Sequence, residues 1–167
     1  MKTAIFYGSD TGHTEDIAKR IAEKLGNLEI FDIAETPIEK MKEYDALILG
    51  IATWGEGDLP NDWDDHIDAF NAIDFSGKTV ALFGLGDQEG YGDTFVDAMG
   101  LLYEKLTAMG AKIIGEFEID SDYDYDDSTA IIDGKFVGLA LDEDNQEELT
   151  DERIDRWVAQ IKGTLNQ

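Results

Sequence analysis

The segment Ser9 to Thr14, SDTGHT, follows the apolar run Ala4 to Tyr7 and carries residue types that bind an anion without a full positive charge. Gly8 and Gly12 permit a tight turn and close backbone approach, and Ser9, Thr11 and Thr14 set three hydroxyls beside the free amides of a helix that should start near residue 13. Asp10 and His13 complete the loop. This donor set suits a terminal phosphate monoester, although a Ser/Thr helix cap with no ligand uses the same residues. Spacing removes two other phosphate loops. A triphosphate loop needs GxxxxGK followed by Ser or Thr, and GSDTGHT is one residue short and lacks the lysine. The dinucleotide pattern GxGxxG fails at Asp10. His13 reads as solvent-facing scaffold or as a titratable charge near the phosphate.

Two later stretches, Thr53 to Pro60 (TWGEGDLP) and Gly86 to Phe95 (GDQEGYGDTF), place glycines around an aromatic residue where a loop is ordinarily polar. Trp54 and Tyr91 could close on a planar heterocycle from both faces, each contact contributing about 1 kcal/mol beyond area burial. Either ring taken alone could equally be satellite core packing. Together with the phosphate loop they point to flavin mononucleotide (FMN), with its phosphate at one end and its ring between two aromatic walls.

These loops need a scaffold that delivers them to one place. Ala4–Tyr7, Leu28–Ala34, Ala46–Ile51, Val80–Phe83 and a run from Lys112 to Ile119 read as strands. Helical patterns cover about residues 13–25, a short piece after Pro37, 61–70, 94–109 and 150–165. Strands that alternate with helices make right-handed crossovers and a parallel sheet covered on both faces, so the expected fold is a three-layer α/β sandwich with five parallel strands. The segment Asp120–Asp133 interrupts the last strand, whose second half is Phe136–Leu141. Asp151 and Glu152 would begin the last helix, and Lys162 would sit near its end, as the helix dipole favours. Open parallel sheets bind ligands beyond the carboxyl ends of their strands, where all three loops would meet.

A chain of 167 residues fits one domain, expected to span residues 1–167. It contains no cysteine, which excludes a thiolate-held iron–sulfur cluster, a disulfide and a thiol nucleophile. With 38 acidic against 13 basic residues the formal net charge is -25, so nucleic acid and anionic membranes should be repelled and a basic partner surface attracted. The acids cluster. Between Trp54 and Gly77 there is no Lys or Arg, while Glu56, Asp58, Asp62, Asp64, Asp65, Asp68 and Asp74 all fall there. No apolar run reaches membrane-spanning length and the N-terminus opens on a strand, so the expectation is a cytoplasmic protein.

SDTGHT, TWGEGDLP, GDQEGYGDTF and the later run FVGLALDEDNQEELTDERIDRW, all in order, make the sequence resemble a flavodoxin of the long-chain type over its whole length. The flavodoxin fold is itself one of the standard cases of the strand-end rule. The resemblance implies strand order 2-1-3-4-5, with the last strand split by an inserted loop, and a non-covalent FMN site. Ser9, Asp10, Thr11, Gly12, His13 and Thr14 would hold the phosphate. Trp54 and Tyr91 would flank the ring, Thr53, Gly55, Glu56, Gly57, Gly86 and Asp87 would offer it backbone groups, and Asp144 would approach the ribityl chain. His13, and the acidity of DSDYDYDDS, depart from the family pattern. The implied function is that of a monomeric, non-enzymatic, low-potential one-electron carrier that shuttles between flavin semiquinone and hydroquinone. Its partners would be basic-surfaced redox proteins such as ferredoxin/flavodoxin-NADP reductase, or nitrogenase-type or photosystem-type acceptors. A carboxylate roughly 12 Å from the ring would lower the potential by about 15 to 60 mV at effective dielectrics of about 80 to 20. An FMN-dependent quinone reductase, or a flavin-dependent regulatory module on the same fold, is the alternative reading. A phospho-receiver domain is disfavoured, because Ala52 and Thr53 stand where it needs an aspartate and Gly8 and Ser9 where it needs acids for magnesium.

Overall fold

The structure is a computed structural model that describes residues 2–8, 13–53, 61–90, 92–125 and 127–165. Its elements are β1 (Thr3–Tyr7), α1 (His13–Lys24), β2 (Glu29–Asp32), β3 (Ala46–Ala52), α2 (Asn61–Asn71), β4 (Thr79–Leu85), α3 (Asp97–Ala108), β5 (Lys112–Ile114), β6 (Phe117–Glu118), β7 (Ile131–Ile132), β8 (Lys135–Phe136), β9 (Leu139–Leu141) and α4 (Glu147–Leu165). Short 3-10 turns fill Ile38–Glu43 and Gly92–Thr94. The main sheet is parallel in the order β2-β1-β3-β4-β5, with helices on both sides, as expected. Every residue of β3 and β4 is buried, which is why these strands read as unbroken apolar runs and not as alternating ones.

The fifth position of the sheet is shared. β5 pairs with Thr79–Ala81 at the start of β4, and β9 pairs with Phe83–Leu85 at its end. The split of the last strand is therefore real, but its boundaries differ from those expected. β5 stops at Ile114 because Gly115 adopts a left-handed conformation (φ 85°) and its carbonyl accepts the indole N–H of Trp157 at 2.8 Å. Between β5 and β9 lies an insert that builds its own antiparallel sheet, β6-β8-β7. Asp133 and Gly134, both at positive φ, turn β7 into β8.

Two helix expectations also change. The pattern over 94–109 covers a 3-10 turn and then α3, separated by Phe95 and Val96. Val96 is β-branched yet left-handed (φ 49°), a conformation that costs on the order of 1–3 kcal/mol and persists only where neighbours enforce it. Thr53 supplies the cap that α3 lacks locally, its Oγ1 accepting the Ala98 N–H at 2.9 Å. α4 begins at Glu147, so Glu147 and Glu148 occupy its first turn, in place of Asp151 and Glu152. Those residues lie one turn further on, where Asp151 and Asp155 meet Arg20 and Lys24 of α1 in exposed pairs of small energetic weight.

Trp63, Phe70 and Phe75 pack in one aromatic group, and Phe6, Phe31 and Tyr44 in another. A third group, Phe95, Tyr123, Tyr125 and Phe136, joins the insert to the start of α3. Where β8 passes into β9, Gly138 runs so close to β4 that a Cβ there would overlap the Leu82 carbonyl. Gly138→Ala should lower unfolding free energy by roughly 2 to 3 kcal/mol, because the obstructing atom is backbone and cannot rotate away. Urea denaturation of the cofactor-free chain measures it, and an unchanged midpoint would contradict the packing described.

Candidate functional site

Three connections leave the carboxyl rim of the sheet together. Beyond β1, the Gly8 N–H donates to the Gly50 carbonyl (3.3 Å). Beyond β3, the Thr53 N–H donates to Leu85 (2.8 Å), and beyond β4 the Gly86 N–H donates to Leu141 (3.0 Å). Each bond continues the strand pairing one residue past the strand, so the loops start from fixed points. Thr53 is buried, and its hydroxyl accepts the Ala98 N–H at the start of α3. Gly86 has no room for a side chain: a Cβ would lie 2.9 Å from the Phe95 ring and 3.0 Å from the Val96 nitrogen.

Asp87 was expected to offer backbone to the ring, and its carboxylate turns out to organise the loop. Oδ1 accepts the N–H groups of Glu89 (3.1 Å) and Gly90 (2.7 Å) and the side-chain amide of Asn145 (2.8 Å). Burial pushes this carboxyl up, but the bonds from Gly90, Asn145 and Glu89 outweigh it and leave the pKa below the ordinary value. Behind it lies Asp142, fully buried, whose Oδ2 accepts Gln88 N–H (3.0 Å), Gln88 Nε2 (3.0 Å) and Asn145 Nδ2 (2.8 Å). Its Oδ1 accepts the N–H groups of Asp144 (3.1 Å) and Asn145 (3.0 Å). Gln88, Asp142 and Asn145 escaped the sequence reading. The one available signal was an aspartate ending a buried apolar run, with an asparagine three residues later.

At the other end of the rim, His13 is the exposed first residue of α1 and Thr14 is buried beside it. α1 and the loop after β9 bound a cleft of about 540 Å³ lined by His13, Asp16, Arg20, Glu143 and the first turns of α4. Glu143 is half-buried and accepts the Thr150 hydroxyl at 3.1 Å. Burial raises its pKa against the lowering influence of Thr150, Arg20 and His13. Asp144, more exposed, is also raised, by burial and by the charges of Asp87 and Asp142, with His13 opposing. Among the described residues no group of His, Asp and Glu is arranged to hold a metal ion. A second cleft, between β5, β6 and Arg156, lies where the chain enters the insert and has no part in the rim.

Of the residues expected to bind a cofactor, His13, Thr14, Thr53, Gly86, Asp87 and Asp144 are thus located at this rim. Ser9, Asp10, Thr11, Gly12, Trp54, Gly55, Glu56, Gly57 and Tyr91 lie outside the described residues.

The sequence matches the family model described as Flavodoxin over residues 5–157. The chain belongs to the flavodoxin family. It is 51% identical over 164 residues to the flavodoxin of Picosynechococcus sp., covering 96% of each chain. It is 44% identical to the Helicobacter pylori flavodoxin, covering 98% of each. Among solved structures, the Fusobacterium nucleatum flavodoxin bound to flavin mononucleotide is similar at a TM-score of 0.91 and 35% identity, with 98% of this chain and 99% of that one covered.

This flavodoxin carries a pH signature in the loop after β9. Because the folded pKa of Glu143 lies above its unfolded value, ionising it favours the unfolded chain. Its penalty is absent at acid pH, where both states are protonated, and grows as pH rises from the unfolded towards the folded value. Glu143→Gln should therefore raise the denaturation midpoint slightly at neutral pH, and the gain should vanish in acid. A gain that persisted at low pH would rule out this cause.

Proposed function

We propose that residues 1–167 form one unit that binds FMN without a covalent bond and carries single low-potential electrons between other proteins, with no catalysis of its own. The observation that carries this reading is the flavodoxin match along nearly the whole chain, together with the rim geometry in which the three expected loops depart from adjacent strand ends. The FMN-bound Fusobacterium nucleatum relative supports the choice of cofactor. FMN, when bound, supplies one-electron redox chemistry.

The described residues fit such a ligand. A buried Thr14 hydroxyl at the start of α1 matches a phosphate held by Ser9, Asp10, Thr11, Gly12, His13 and Thr14 without lysine or arginine. Thr53, Gly86 and Asp87 would offer main-chain groups to a ring, alongside Gly55, Glu56 and Gly57; Gly86 has no side chain and the Asp87 carboxylate is taken up by Glu89, Gly90 and Asn145. Trp54 and Tyr91 would enclose the ring. Asp144, exposed and within the fields of Asp87 and His13, would approach the ribityl chain. With no lysine or arginine in the phosphate loop, the negative charges of Asp87, Glu143 and Asp144 would disfavour adding an electron. Titrating the cofactor-free chain with FMN should give equimolar, tight uptake and a yellow protein that is then reduced one electron at a time. No uptake would overturn the proposal.

The partners are redox proteins with basic faces, met by a monomer in the cytoplasm. α2 presents exposed Asp64, Asp65 and Asp68 beside the rim, a negative surface that would steer a basic reductase. No helix among the described residues is long and apolar enough to cross a membrane. Stopped-flow association with a basic flavodoxin reductase should slow by about tenfold or more as salt rises from tens of millimolar to several hundred. A rate indifferent to salt would remove the steering role of α2.

A further inference from the structure

Within SDTGHT, His13 is the residue whose charge changes near neutral pH, because histidine titrates between about pH 5 and 8 while its neighbours are an aspartate, a glycine and three hydroxyls. Its surroundings are lopsided. His13 is exposed as the first residue of α1 and lines the cleft of about 540 Å³ between α1, the loop after β9 and α4. α1 contributes Asp16 and Arg20 to that cleft, the loop after β9 contributes Glu143, and α4 contributes Glu147, Glu148 and Asp151. The other histidine, His66, belongs to α2 and does not line it.

Of the cleft's two basic side chains, Arg20 is already engaged. Its guanidinium lies 2.7 Å from the Asp16 carboxylate and 3.2 Å from that of Asp151. Glu143, Glu147 and Glu148 have no ion-pair partner among the described residues, and Glu143 accepts only the Thr150 hydroxyl. The charge of His13 reaches Glu143 and Asp144, where it acts against the rise that burial causes in both carboxyls. His13 therefore stands between the start of α1 and a wall of acids that no other free cation of the cleft offsets.

Chain connectivity fixes how near His13 is to the expected ligand. It lies between Gly12 and Thr14, both expected to hold the phosphate, and consecutive Cα atoms are about 3.8 Å apart. A phosphate monoester carries a charge of about −1.5 to −2 at pH 7 and would meet the acidic wall with neutral donors as its only other support. A charged imidazole opposes that repulsion, and a neutral one does not.

We propose that His13 couples a proton to cofactor capture: its imidazolium offsets the carboxylates of the cleft, so that the chain prefers FMN over riboflavin more strongly at mildly acidic than at alkaline pH. The inference rests on the FMN reading and adds to it a residue that selects the phosphorylated flavin. The linkage is reciprocal, since charged His13 favours the phosphate and the phosphate favours charged His13, so binding takes up part of a proton. Its contribution is fully present where His13 is charged before the ligand arrives. It is lost as pH rises until the imidazole of the complex is neutral too. The second ionisation of the phosphate, near pH 6, works the other way by removing charge from the ligand in acid, and it is common to every variant.

The test uses the full chain freed of flavin, titrated at low salt with FMN and with riboflavin between about pH 6 and about pH 8.5. The ratio of the riboflavin to the FMN dissociation constant should fall across this range by roughly fourfold more in the unaltered chain than in His13→Asn. His13→Lys, whose charge persists over the whole range, should hold the ratio at its acid-side level. Calorimetry in buffers of different ionisation enthalpy should show FMN binding taking up more protons in the unaltered chain than in either variant, with no such difference for riboflavin. A loss of folding or packing would move both flavins together and leave the pH profile of the ratio unchanged. Parallel profiles in the unaltered chain and His13→Asn would overturn the linkage, as would an equal effect on riboflavin. If the unaltered chain takes up neither flavin, the cofactor reading falls and the linkage with it, whereas uptake with parallel profiles removes the linkage alone.

Discussion

A seven-residue strand, β4, is paired along its outer edge by two separate pieces of chain, and the geometry of the rim follows from where they divide it. β5 covers the first three residues of β4 and β9 the last three. Because β9 arrives at the carboxyl end, the Gly86 N–H finds its acceptor on Leu141, and Asp142 is delivered next to the connection that follows β4. A single continuous fifth strand could make the same pairing, but it would leave no chain to cross from the sheet edge to the start of α3. The split supplies that chain.

Asp142 shows how a buried carboxylate is made tolerable. An isolated charge in this position would be expensive, and five N–H donors at 2.8–3.1 Å surround it instead. Those donors come from the loop after β4 and the loop after β9, so the need to satisfy one carboxylate orders two connections at once. Asp87, sharing the Asn145 amide, extends the same arrangement towards the surface. Glu143 and Asp144, three to four positions before α4, are treated in the opposite way, raised by burial and lacking a matching set of donors. The field of His13, at the start of α1, opposes the rise in both.

Arg153 occupies a place few arginines do. It is buried, rests on the face of Tyr123, and its two terminal nitrogens have no hydrogen-bond partner among the described residues. Stacking on the ring and the field of Asp120 are what favour it, against a desolvation cost that a hydrogen-bonded arginine would meet more fully. Tyr123 in turn donates its hydroxyl to the Ala140 carbonyl at 2.6 Å, tying the insert to β9 itself. The insert thus contributes Phe117, Tyr123 and Phe136 to the core, although its sequence is among the most acidic in the chain.

Much of this was legible from residue order. Unbroken apolar runs at Ala46–Ile51 and Val80–Phe83 read as strands covered on both faces, and the alternation with helices then points to a parallel sheet whose loops emerge at one rim. The positions of SDTGHT, TWGEGDLP and GDQEGYGDTF after three of those strands follow from local pattern alone, as does the negative charge. What the linear pattern could not supply was every feature that depends on a partner distant in the chain. The end of β5 at Ile114 is set by Trp157, the start of α3 by Thr53, the left-handed Val96 by the insert, and the satisfaction of Asp142 by Gln88. Composition and periodicity report which residues want to be buried and which segments want to be regular. A buried polar group is different: its cost depends on whether a donor arrives from elsewhere, and only the folded chain decides that.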